Sequence, residues 1–129
     1  MKIAAIAIGG MVGAILRFWI GILLFNPEAQ FPFPTLTINL IGSFLLGWFV
    51  VHGSKKVRNK TWVAGIQTGF LGSFTTFSTF NAEIVLLMDK GMVSIAAQYF
   101  FISAAAGIVA IIFGMKTGSV LLNQEGAEQ

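Results

Sequence analysis

Cysteine is absent from this chain, which excludes disulfides and thiolate metal sites. Charge is scarce as well. Lys, Arg, Asp and Glu make up 10% of the 129 residues, against roughly a quarter in a soluble domain. So few charges cannot cover a water-facing surface, and a cytoplasmic enzyme is excluded on that ground. Histidine occurs once, at His52. No His/Asp/Glu group has metal-ligand spacing, and the sequence holds neither a nucleophile–base set nor a phosphate loop. Proline is confined to Pro27, Pro32 and Pro34.

What is present is apolar. Hydrophobic residues reach 56% and the mean hydropathy is +0.84, so the expected solvent is the bilayer. A span needs roughly 20 residues. Four runs qualify, at about 3–25, 35–52, 61–88 and 92–122. They predict an all-α integral membrane protein with a single four-helix domain over 1–129. The Met1-Lys2 start resembles a signal peptide, but the apolar run continues past Arg17 to Phe25, which predicts a retained first span. The three prolines predict a short extended loop. Asp89-Lys90-Gly91 predicts a tight turn, and Asn123 to Gln129 a frayed polar tail. Small residues at Gly9/Gly13, Ala106/Ala110 and Gly114/Gly118 are spaced for close helix packing.

The formal net charge of +3 does not indicate nucleic acid, because the basic residues sit beside apolar runs. Lys2, Lys55, Lys56, Arg58, Lys60 and Lys116 fall on one side of a four-span chain, and Lys90 and Arg17 on the other. The positive-inside rule then places both termini in the cytoplasm. His52, next to the basic loop, is expected at the interface.

The stretch from Gly69 to Asn81 combines glycines, a run of hydroxyls and several phenylalanines. Two local structures are open to it. Gly69, Gly72 and the hydroxyls can interrupt the third helix, freeing carbonyls for a cation. Alternatively the hydroxyls bond back to their own turn and the helix continues. Phe77 and Phe80, three apart, can turn ring edges toward an anion or simply pack. Thr35, Asn39 and Ser43 form a polar stripe on span two, and Tyr99, Ser103 and Gly107 another on span four. The amide of Asn39 can donate to an anion or bridge two helices. Arg17 and Glu83 are the charges nearest membrane depth. Arg17 suits a vestibule or an interfacial position, and Glu83 an orienting role or a subunit contact.

The run Gly-x-x-Gly-x-x-Thr-Thr-Phe-Ser-Thr-Phe, from Gly69 to Phe80, resembles the signature of the Fluc (CrcB) fluoride channels. Pro34-x-x-x-x-Asn39 and Arg17 late in span one match the same family. The resemblance implies an antiparallel, dual-topology dimer with a third helix broken in its middle and two fluoride pores. It implies pore roles for Phe77, Phe80 and Asn39, and for Ser78, Thr79, Thr35, Tyr99 and Ser103. Arg17 and Glu83 take vestibule and supporting places. It further implies a structural sodium ion at the dimer interface, held by the backbone carbonyls of Gly72 and Thr75. The expected partners are fluoride, membrane lipid and a second copy of the chain in a bacterial plasma membrane. The basic bias leaves an inverted paralogue as the alternative second subunit. The competing classes are a small dimeric drug/proton antiporter and a non-transporting accessory protein. An antiporter needs a carboxylate at membrane depth, and span one offers Arg17 instead.

Overall fold

The computed structural model describes residues 1–127, with side chains to residue 124. The described residues form helices and no strands. Four helical segments are long and apolar enough to cross a membrane: Lys2–Leu23, Phe33–Lys56, Lys60–Asp89 and Val93–Gln124. The chain is a multi-pass membrane protein.

Helix α1 (Lys2–Leu23) is followed by a loop that ends at Pro32. Helix α2 (Phe33–Lys56) begins one residue later, with Pro34 inside its first turn and not in the extended loop expected for it. A first-turn N–H has no helical acceptor, so proline fits there without losing a bond. α2 widens into a π-helical turn at Phe49–Gly53, which buries Phe49 and His52. The His52 ring lies 5.2 Å from that of Trp48, so this side chain packs against its own helix, next to the basic loop.

The third segment starts as α3 (residues 60–74), which is π-helical over Gly65–Leu71. Helix α4 (Phe77–Asp89) follows after Thr75 and Thr76, and ends in a turn where Gly91 has φ 74°. The Met92 N–H closes that turn onto the Leu87 carbonyl at 2.9 Å. Helix α5 (Val93–Ala127) runs through most of the segment expected to be a frayed tail. Asn123, Gln124 and Glu125 carry no helix-breaking feature, so the helix continues; residues 128 and 129 lie outside the described residues.

Two helix pairs dominate. α1 packs on the π-helical part of α3, and α2 packs on α5. Both are glycine contacts. A Cβ on Gly9 would strike the Gly65 carbonyl, and one on Gly13 would strike the Phe70 carbonyl. On the other pair, a Cβ on Gly47 would strike the Ile111 carbonyl, and one on Gly114 the Phe44 carbonyl. Lipid gives no hydrophobic drive between helices, so close backbone approach supplies the packing. The buried side chains include Phe74, Phe80, Leu87 and Tyr99, while most large apolar residues of α1 and α5 face outward, as lipid contact requires.

Candidate functional site

The site is built where the third segment leaves helical geometry. Thr75 is extended (φ −73°, ψ 155°), and so is Thr76 (φ −143°, ψ 115°). A continuing helix would send the Thr76 N–H to the Gly72 carbonyl. That N–H goes instead to Asn39 Oδ1 at 2.8 Å, and Asn39 Nδ2 donates back to the Thr76 carbonyl at 3.0 Å. Thr75 stays tied to the turn before it. Its N–H and its hydroxyl both donate to the Leu71 carbonyl, at 3.1 and 3.0 Å. Arg17 Nη1 reaches the Thr75 carbonyl from α1 at 3.4 Å.

Thr76 also starts α4. Its Oγ1 accepts from the Thr79 N–H at 3.1 Å, as an N-cap does, and donates to Thr79 Oγ1 at 2.9 Å. Ser78 Oγ lies 3.4 Å away. Thr76 carries more of this site than its place in the sequence announces. The available signal is a threonine just before an apolar helix, but Thr75 beside it offers the same hydroxyl.

The two phenylalanines of α4 have different surroundings. Their rings are 6.1 Å apart and 28° from parallel. Phe80 is 8% exposed and packs 5.0 Å from the Tyr99 ring, whereas Phe77 is 76% exposed. Between α2, α4 and α5 lies a cavity of about 490 Å³, lined by Asn39, Ser43, Thr75, Thr76, Phe77, Phe80, Ser103 and Gly107 among others. A second, of about 410 Å³, is lined by Arg17, Thr35, Thr76 and Thr79 with apolar neighbours. Thr76 lines both.

Glu83 gathers two hydroxyls. Thr35 Oγ1 donates to Oε1 and the Tyr99 hydroxyl to Oε2, each at 2.7 Å. Thr35 and Tyr99 are both buried. Their hydroxyl protons are therefore engaged by a carboxylate. Ser103 Oγ is buried with no hydrogen-bond partner among the described residues. Ser78 and Thr79 are exposed in the single chain.

No group of three or more His, Cys, Asp or Glu able to hold a metal exists among the described residues.

A family model described as CrcB-like protein, Camphor Resistance (CrcB), matches residues 4–115. The chain belongs to the CrcB family. It is 38% identical over 116 residues to the fluoride-specific ion channel FluC of Oceanobacillus iheyensis, covering 89% of each chain. To fluoride-specific ion channel FluC 1 of Desulfitobacterium hafniense it is 45% identical over 107 residues, 82% of this chain and 93% of that one. To FluC 2 of Geobacillus kaustophilus it is 41% identical over 114 residues, 85% and 87% of the two chains. The match spans α1 through most of α5, so the residues described above lie inside it.

Proposed function

We propose that the chain is a fluoride-selective channel that lets the ion leave the cytoplasm passively across a bacterial plasma membrane. One observation carries this reading. The cavity at the Thr75–Thr76 interruption offers an amide, hydroxyls and two aromatic rings, and none of its lining residues is charged. A small, strongly hydrated anion needs donors to replace its water, yet must not be trapped. Asn39 Nδ2 has a second N–H beyond the one given to Thr76, and the rims of Phe77 and Phe80 carry partial positive charge. The identity of the ion rests on the relatives, which are named as fluoride-specific channels. A negative cell interior favours anion exit by about 2.3 kcal/mol per charge per 100 mV, so no coupled energy source is needed.

The remaining parts of the proposal concern the second subunit. Phe77 stands exposed at the cavity edge, which supports an antiparallel second copy covering it. Sodium is assigned to the carbonyls of Gly72 and Thr75. The donor set fits a hard monovalent cation: the Gly72 carbonyl has lost its helical N–H to Asn39, and the Thr75 carbonyl has a long contact from Arg17 that leaves lone-pair capacity. Two carbonyls per chain are too few for such an ion, so the same pair from a second copy would complete the set. When bound, the ion supplies fixed positive potential beside the anion path. The homodimer is the favoured assembly, and an inverted paralogue takes its place if the basic side of the chain fixes one orientation. Crosslinking in cells that found only one orientation would rule out the homodimer.

Glu83 speaks against the antiporter. Both its oxygens already accept hydroxyl bonds from neighbouring helices, so the carboxylate is engaged in holding Thr35 and Tyr99. The decisive test is efflux from liposomes containing purified protein, with a fluoride electrode and a chloride control. Fluoride efflux far above chloride is expected; equal fluxes would remove the selectivity claim, and proton-coupled cation uptake would restore the antiporter.

A further inference from the structure

We infer that Asn39 is a positioning residue that stands in for a backbone peptide. Its side-chain amide makes a reciprocal pair with one residue, Thr76: it accepts from the N–H at 2.8 Å and donates to the carbonyl at 3.0 Å. A strand neighbour offers a residue the same donor and acceptor. Here the partner is a side chain from α2, reaching a two-residue extended segment between helices.

The need is physical. Thr76 is 6% exposed, and its N–H has left the helical ladder. A buried N–H at membrane depth must find a partner inside the protein. Asn39 is the partner, so it holds Thr75 and Thr76 extended and fixes where α4 begins. Phe77 is the first residue of α4 and Phe80 lies one turn on, so the ring positions follow from this clamp. The inference rests on the channel reading only for its flux measurement; the clamp itself is a property of the fold.

Two substitutions at position 39 separate the roles. Leucine has the branched shape of asparagine but neither donor nor acceptor, so it removes both halves of the clamp. Aspartate keeps an oxygen that can accept from the Thr76 N–H.

The experiment measures amide hydrogen exchange at Thr76 in reconstituted protein and fluoride-free buffer, corrected for intrinsic rate, with fluoride efflux run in parallel. Asn39→Ala should lose at least tenfold protection at Thr76. Asn39→Leu should lose it equally, whereas Asn39→Asp, which keeps an acceptor for the Thr76 N–H, should retain more protection than either. If Asn39→Ala does not assemble, Asn39→Leu and Asn39→Asp make the same comparison without the cavity. Lost flux with Thr76 protection intact would make Asn39 an anion ligand only and overturn the inference. So would Thr76 protection in Asn39→Leu equal to that of the wild type. A wild type with the expected protection pattern but no fluoride flux would uphold the clamp and sink the channel reading alone.

Discussion

Removing one hydroxyl from the Glu83 cluster distinguishes a scaffold from a set of fluoride ligands. Tyr99→Phe deletes the donor to Oε2 and keeps the ring against Phe80. A hydrogen bond to a charged group contributes about 1.5–3 kcal/mol in water-soluble proteins. Interhelical bonds in membranes average about 0.6 and reach about 1.7 kcal/mol, because the unfolded chain in lipid also finds partners. Tyr99 is fully buried and its acceptor is a carboxylate, so a cost near the upper membrane figure is expected, about 1.5 kcal/mol. If the phenol acts through Glu83, most of that cost should disappear in a Glu83→Gln background. The expected coupling is about 1 kcal/mol, or about fivefold in the unfolding constant. Reversible unfolding in mixed micelles, followed by tryptophan fluorescence, measures all four proteins of the cycle. Costs that add within about 0.5 kcal/mol would refute the coupling. A Tyr99→Phe protein of native stability with lost fluoride flux would return the phenol to the pore.

The glycine contacts separate in the same assay. Gly114→Ala should lose about 1–3 kcal/mol, because its Cβ would strike the Phe44 carbonyl. Gly107 lines the cavity, and a Cβ there would meet nothing within 4 Å, so Gly107→Ser should fold as wild type and conduct fluoride at least as fast. Slower efflux would show that the space beside Ser103 is needed empty. Phe77→Ile and Phe80→Ile should both slow fluoride efflux. Only Phe80→Ile should lower the stability of the single fold, by about 1–2 kcal/mol, since Phe77 is 76% exposed. Equal flux in wild type and both variants would reduce the rings to packing. Replacing sodium by a large organic cation on both faces of the liposome should reduce efflux, and unchanged flux would remove the sodium assignment.

The four apolar segments are legible in the sequence because composition and run length decide them. What is not legible is local. Pro34 reads as a helix breaker, yet its place in the first turn of α2 makes the missing N–H harmless. The π-helical stretches at Phe49–Gly53 and Gly65–Leu71 leave no distinct pattern, because glycine and apolar residues suit an ordinary helix equally well. The polar stripes place Thr35, Asn39 and Tyr99 on inward faces. Their partners stay hidden, since Glu83 is 48 residues from Thr35 and 16 from Tyr99, and Thr76 is 37 from Asn39. Periodicity orders residues along one helix; it does not say which residue of another helix stands opposite.

The placement of Arg17 and Glu83 explains how the cavity lined by Asn39, Phe77 and Phe80 can be neutral. Arg17 is turned onto a backbone carbonyl at 3.4 Å, and Glu83 onto two hydroxyls at 2.7 Å, so each charge is answered by groups of other helices. Neither charged residue lines the cavity that holds Asn39, Phe77 and Phe80. Arg17 opens onto the adjoining cavity, with Thr76 as the shared wall. On the channel reading proposed above, an anion arriving there would meet a full positive charge where attraction is useful for capture. Beyond Thr76 it would meet only dipoles and ring edges, which replace water without matching the grip of an ammonium or guanidinium. The interruption at Thr75–Thr76 makes this step in electrostatics possible. It ends one helix and caps the next, and it is fastened by Arg17 from α1 and Asn39 from α2.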